Sequence, residues 1–196
     1  HIDHIGCNDQ FEKVYMAKED WLLAAGGGIV PATEETALNL LRYELLNIKN
    51  GTKFDLGGRI IEAYKLPGHT KGSVVFYDSV SGALFSGDAI ARRVLYGMSQ
   101  WVPLEEYLDA LKQIERCKIT NIYSMHDDFA LPADMPQRII NNITKYLKTT
   151  KDRWQSPVDG KWFRRIQPLQ NEENIAYFDF VIPEEKRGEY LDENEE

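Results

Sequence analysis

The sequence predicts an α/β fold in which layered sheets are flanked by helices. Two observations carry this reading. Helical and strand-like stretches alternate along the chain, and the strand-like stretches come in groups. Each such element has one apolar face, which is buried only by stacking layers.

Element by element, His1 to Gly6 reads as a loop entering a short helix. Lys13 to Ala17 is a short strand and Glu19 to Ala25 a short helix, ended by Gly26-Gly27-Gly28. Thr33 fits a helix N-cap, and Leu38, Leu41, Leu45 and Ile48 share one face of a helix predicted to run to about Asn47, with Asn50-Gly51 closing it. Strands follow: Lys53 to Leu56, a Gly57-Gly58 turn, then Arg59 to Leu66. Ser73 to Tyr77 and Ala83 to Ser86 form a hairpin around Ser81-Gly82. A loop from Ala89 to Val102 leads to a helix from Pro103 to about Arg116, where proline suits the first turn. Ile119 to Ser124 is a strand and Pro136 to Leu147 a helix. Residues 1–150 read as one domain and residues 151–196 as an aromatic-rich extension, packed on that domain or at an interface. Within the extension, Trp162 to Ile166 and Ile175 to Ile182 are expected to pair as a hairpin. Its wholly apolar face, Ala176, Phe178, Phe180 and Ile182, must be covered: by a homodimer contact or by packing over the site edge, in preference to the alternative of packing on the back of its own domain.

At 196 residues the chain is long enough for a sizeable core. A net charge of -8 disfavours nucleic acid as the main partner, because phosphate contacts need a basic face. No apolar run approaches the ~20 residues of a membrane span. Two cysteines, Cys7 and Cys117, show no disulfide framework, and reduced thiols in a cytoplasmic protein are expected.

The chemistry-bearing residues fall in four places: His1-Ile2-Asp3-His4, Gly68-His69-Thr70, Gly87-Asp88-Ala89 and Met125-His126-Asp127. These hold all four histidines of the chain, each beside a strand end or in a loop, and none on the apolar face of a helix. Neutral imidazole binds zinc well, and carboxylates reduce the charge of a dinuclear centre. Two metals ~3.5–4 Å apart polarise a carbonyl or phosphoryl oxygen and ionise water near neutral pH. The His1-x-Asp3-His4 spacing serves such a centre only if the backbone turns sharply.

In their order these segments resemble the metallo-β-lactamase superfamily. His1-Ile2-Asp3-His4-Ile5-Gly6 is similar to the latter part of its HxHxDHxG motif, and Pro67-Gly68-His69-Thr70-Lys71-Gly72-Ser73 to its PGHTxGS segment. Leu84-Phe85-Ser86-Gly87-Asp88 resembles its strand-to-GD segment, and Ser124-Met125-His126 stands where its last histidine is expected. The resemblance spans roughly residues 1 to 148. It implies an αββα sandwich, incomplete at the N-terminus, with a metal site at one edge of the sheets. It further implies His1 and His69 on one metal, Asp3, His4 and His126 on the other, and Asp88 bridging. Asp3 is then a ligand, or a ligand that also handles protons as the catalytic carboxylate.

The chain departs from the family pattern at its start. The first histidine of the motif is expected two residues before His1, so a missing N-terminal segment is anticipated. Cys7 stands where many relatives carry glycine, and a small packed residue is the expected reading. Asp127 and Asp128 either orient His126 or form a solvated acidic turn. The resemblance implies two Zn²⁺ ions and a hydrolase that attacks a small thioester, ester or lactone carbonyl with metal-bound hydroxide. His1 is unlike the flavodiiron type, which has glutamate there. The alternatives are one Fe²⁺ in a mononuclear sulfur dioxygenase, or a metal-stabilised domain that binds a ligand without catalysis. Arg92, Arg93, Tyr96 and Trp101, in the loop after Asp88, are candidates to meet the substrate.

Overall fold

The computed structural model describes residues 1–97, 99–150, 153–155, 157, 160, 162–166, 180–183 and 186–190. Its centre is a six-stranded sheet in the order β3-β4-β5-β6-β7-β8. These strands are β3 (Thr52–Asp55), β4 (Ile60–Lys65), β5 (Val74–Asp78), β6 (Ala83–Gly87), β7 (Asn121–Ser124) and β8 (Leu131–Pro132). All neighbours are antiparallel except β6 and β7, which are parallel and connected through helix α3 (Leu104–Ile114). Pro132 sits in the edge strand, where a missing N–H costs no ladder bond.

Side chains alternate across this sheet. Val75, Tyr77, Leu84 and Ile122 point to one face and enter the main core. There they meet α3, through Leu104, Tyr107, Leu111 and Ile114, and helix α4 (Met135–Tyr146), through Met135, Ile139 and Ile143. The spacings of three, four and seven residues put each set on one helical stripe. Fully burying each such aliphatic side chain contributes ~1.5–3 kcal/mol. Phe76, Phe85 and Tyr123 lie in register across the opposite face. Part of that face is met by a small parallel sheet of β1 (Lys13–Met16) and β2 (Glu44–Asn47), whose Tyr15 ring stands edge-on to Phe54 at 5.0 Å. Phe85 and Tyr123, stacked at 5.7 Å, remain 47% and 44% exposed. Mixed layers of sheet and helix match the predicted fold class.

One element differs. The helix expected from Thr33 to Asn47 is a 3-10 segment, Glu35–Leu40, followed by strand β2. Thr33 caps nothing, Leu40 is exposed, and the last four residues pair with β1, from Lys13↔Glu44 to Met16↔Asn47. The i, i+3, i+7 spacing of leucines was compatible with a helix, but a ladder to a distant strand satisfied the backbone instead. Short helices α1 (Ile2–Ile5) and α2 (Trp21–Ala25) stand where the sequence places them.

In the extension, β9 (Arg153–Gln155), β10 (Trp162–Ile166) and β11 (Phe180–Pro183) form an antiparallel sheet in the order β11-β10-β9. The register Ile166↔Phe180 to Phe163↔Pro183 matches the expected hairpin. The rest of its second strand, residues 175–179, lies outside the described residues, and so does any test of its apolar face. Ile166 is fully buried in the main core, and the Thr150 hydroxyl donates to the Arg165 carbonyl, which ties this sheet to the end of α4. A last helix, α5, is Arg187–Tyr190. No helix among the described residues is long and apolar enough to cross a membrane.

Candidate metal centre

Topology explains why residues far apart in sequence meet. Strands β4, β6 and β7 run in the same direction, since β5 is antiparallel to both β4 and β6 and β7 is parallel to β6. Their C-terminal ends therefore share one edge of the sheet. His69 follows β4, Asp88 follows β6 and His126 follows β7. Gly87, at φ 53°, takes the left-handed conformation that turns the chain at the end of β6 and delivers Asp88. The fourth contribution is the one-turn helix α1, which gathers His1, Asp3 and His4 within four residues. It is held by a close approach: a Cβ on Gly28 would stand 2.5 Å from the Ile2 nitrogen.

Two clusters result, His1–His69–Asp88 and Asp3–His4–His126, in each of which the potential ligand atoms lie within 4.8 Å of one another. His69 Nε2 is 2.8 Å from His1 Nδ1 and 3.3 Å from Asp88 Oδ2. In the second cluster, Asp3 Oδ2 is 3.5 Å from His4 Nε2 and 3.3 Å from His126 Nε2. Asp88 stands between the two: Oδ2 is 3.1 Å from His4 Nε2, and Oδ1 is 3.4 Å from His126 Nε2. The His1–His69 cluster is the inner one, with the His69 side chain 8% exposed, while that of His126 is 58% exposed.

These groups fit divalent metal ions. Ligands ~2.0–2.1 Å from a tetrahedral ion lie ~3.3 Å from each other, and the paired atoms here are 2.8–3.5 Å apart. The buried Asp88 Oδ1 has no hydrogen-bond donor among the described residues, a costly state for a carboxylate oxygen that a cation relieves. His69 Nδ1–H donates to the Leu95 carbonyl at 2.7 Å, which leaves Nε2 unprotonated and aimed at the cluster. Burial lowers the His69 pKa and so favours the neutral imidazole a ligand requires. Burial pushes the Asp88 carboxyl up, but the His4 hydrogen bond and the charges of His69, His4 and His126 outweigh it, and its pKa lies below the ordinary value. The His4 pKa is raised, chiefly by its hydrogen bond to Asp88.

The supporting groups include several the sequence did not single out. His1 Nε2 is 2.6 Å from Ser99 Oγ. Asp20, half-buried at the start of α2, accepts from the Thr70 hydroxyl at 2.5 Å and from the Gly72 N–H at 3.0 Å, clamping the loop that carries His69. Its position invites reading it as a helix cap, which hides this role. The Leu95 carbonyl, being backbone, leaves no sequence signal.

The loop after Asp88 divides. Arg93 lines a cavity of about 240 Å³ together with Ile2, Ile29 and Leu95 and with His1, Asp3, His69, Asp88 and His126. Tyr96, expected to meet substrate, is instead fully buried, its hydroxyl donating to the Val102 carbonyl and its ring edge-on to Trp101 and Tyr107. Trp101 packs with it and is absent from that cavity's lining. Arg92 pairs with Asp127 at 3.6 Å and lies over the Phe129 ring at 5.5 Å. Asp127 also accepts from the Ser124 hydroxyl and the Arg92 backbone N–H, so it joins the end of β7 to the loop, and it makes no hydrogen bond to His126 among the described residues. Cys7 is exposed, against the expectation of a packed residue.

Comparison with known proteins is consistent with this arrangement. A hydroxyacylglutathione hydrolase of Synechococcus sp. (strain JA-2-3B'a(2-13)) is 25% identical over 128 residues, 65% of this chain and 46% of that protein. One of Rippkaea orientalis is 22% identical over 175 residues, 81% of this chain and 62% of that protein. The chain thus spans about half the length of the curated relatives it matches. Among solved structures, the BLEG-1 B3 metallo-beta-lactamase has a TM-score of 0.52 at 19% identity, with 70% of each chain covered. A metallo-beta-lactamase from Pontibacter korlensis has 0.50 at 20% identity, covering 71% of this chain and 61% of that one. The family model of the metallo-beta-lactamase superfamily matches residues 1–126, well over half the chain, and the chain belongs to that superfamily.

Proposed function

We propose that this chain is a hydrolase and that it cleaves a small thioester, ester or lactone at a two-metal site. The observation that carries this reading is the position of Asp88, with one carboxylate oxygen toward His4 and His69 and the other toward His126. A carboxylate so placed would suit two ions at once. His1 and His69 would hold the inner ion, and Asp3, His4 and His126 the outer one, with Asp88 shared. When bound, such metals supply Lewis acidity at the carbonyl oxygen and make water a competent nucleophile near neutral pH. The chain's own residues do the rest. His69, fixed by the Leu95 carbonyl, keeps its Nε2 lone pair pointed at the site. Asp3, half-exposed at the cavity, is placed to take up the proton released by attacking water and return it to the leaving group. Ile2, Ile29 and Leu95 give that cavity an apolar wall.

The test is metal analysis of the purified protein together with turnover of thioester, ester and lactone substrates. Two zinc ions per chain and turnover are expected, and Asp88→Ala is expected to lose both. Full metal loading with no turnover across the panel would refute a hydrolase and leave a binding domain. One iron per chain would favour the dioxygenase chemistry.

A further inference from the structure

We infer that Ser99 is a positioning residue for the inner metal ion: its hydroxyl holds the His1 ring in the tautomer, protonated on Nε2, that ligates through Nδ1. This rests on the proposed assignment of His1 and His69 to the inner ion. The two rings turn different nitrogens toward each other. His69 presents Nε2 and His1 presents Nδ1, and these atoms are 2.8 Å apart. A ring nitrogen that holds a metal carries no proton, so each neutral imidazole must carry its proton on the far nitrogen. For His69 the far nitrogen is Nδ1, and the Leu95 carbonyl accepts from it at 2.7 Å. For His1 it is Nε2, which stands 2.6 Å from Ser99 Oγ. A hydroxyl oxygen has two acceptor lone pairs, so Ser99 Oγ accepts from Nε2–H and leaves Nδ1 as the ligand atom.

Leu95 and Ser99 belong to one loop, the one that follows Asp88, so the segment leaving the shared carboxylate also orients both inner histidines. The chain is held on either side of Ser99. The Gly97 N–H donates to the Gly68 carbonyl at 2.9 Å, next to His69, and Gly97 takes a left-handed φ of 69° to do so. On the other side, Gln100 Nε2 donates to the Glu19 carbonyl at 3.4 Å. The outer cluster lacks this support. His4 and His126 both face it through Nε2, and neither Nδ1 makes a hydrogen bond among the described residues. The inner ion should therefore be the more tightly bound, and the two binding steps can be told apart. Ser99 acts through His1 and touches no reacting atom, so its role is in holding the metal.

The experiment measures zinc binding to the purified protein by competition with a chromogenic chelator, and the ring nitrogens of the zinc-loaded, ¹⁵N-histidine-labelled protein by NMR. Ser99→Ala should weaken the tighter zinc step about tenfold or more, the scale seen when a hydrogen bond that holds a ligand is removed, and leave the weaker step unchanged. Ser99→Thr keeps the hydroxyl and should restore the tighter step. In the wild type one histidine should show a metal-bound Nδ1 and a proton on Nε2 that exchanges slowly with water; in Ser99→Ala that proton should exchange faster. An unchanged tighter step in Ser99→Ala, an equal weakening of both steps, or a wild type with no Nδ1-bound histidine overturns the inference. A wild type that binds a single zinc ion, with the Ser99→Ala loss intact, would instead sink the two-metal reading and leave the role of Ser99 standing.

Discussion

Replacing Asp20 by alanine tests how the fold holds its site. Asp20 Oδ1 accepts from the Gly72 N–H and Oδ2 from the Thr70 hydroxyl, on either side of Lys71 and one residue beyond His69. A Cβ on Gly72 would stand 2.5 Å from Asp20 Cγ, so the carboxyl fills all the space between α2 and the loop. Asp20→Ala strands the Gly72 N–H, at ~1–3 kcal/mol for a buried unsatisfied donor. The Thr70 hydroxyl keeps Ser73 Oγ at 3.0 Å and loses less. Against this stands the cost of burying Asp20. Burial raises its pKa, opposed by the bonds from Thr70 and Gly72. With a raised folded pKa, the fold favours the protonated carboxyl, and part of its contribution is given up as pH rises through that value. At neutral pH a net loss of ~1–2 kcal/mol follows, or ~2–8 °C in melting temperature for a chain of this size. Freed of its clamp, His69 should also bind metal about 10–100-fold more weakly, the scale seen when the hydrogen bonds that hold a ligand are removed. Denaturant melts give the first quantity and competition with a chromogenic chelator the second. Asp20→Asn keeps an acceptor and should fall between. An alanine variant within ~0.5 kcal/mol of wild type, with undiminished metal affinity, would refute the reasoning.

Further expectations follow from single contacts. At Gly68 a Cβ would meet the Tyr107 ring at 2.6 Å, so Gly68→Ala should destabilise by ~1–3 kcal/mol through overpacking, checked by thermal melts. The Tyr107 hydroxyl, fully buried, donates to the Ala89 carbonyl at 2.8 Å; Tyr107→Phe should cost ~1 kcal/mol in a urea titration without changing the slope. With a thiol reagent at pH 8, Cys7, which is exposed, should react fast and Cys117 slowly. Burial raises the Cys117 pKa and leaves little thiolate, so its rate should climb steeply with pH; equal rates for the two thiols would contradict this.

Much of the site was legible along the chain because its ligand types are rare and sit in loops. Four histidines, none on an apolar helical face, with Asp3 and Asp88 beside turn residues, leave few readings other than a shared centre. Strands β1, β3 to β7 and β10 and the two long helices were equally plain, since periods of two and of three to four residues persist long enough to be read, whereas the two-residue β8 and three-residue β9 are too short to show one. Residues 33–47 were not legible, because a leucine spacing suited to a helix was overruled by a ladder to β1 that no local pattern announces. The same holds for the roles within the loop after Asp88. Its sequence offers two adjacent arginines and two aromatics; only packing buried Tyr96 against Tyr107, tied Arg92 to Asp127 and set Arg93 over Trp154. Residue type determines which chemistry a side chain can perform, and so the candidate ligands could be singled out in the sequence. Where a side chain points depends on partners tens of residues away, and so the clamp on His69, the shared Asp88 and the division of the arginines were decided only when the sheet brought three strand ends to one edge.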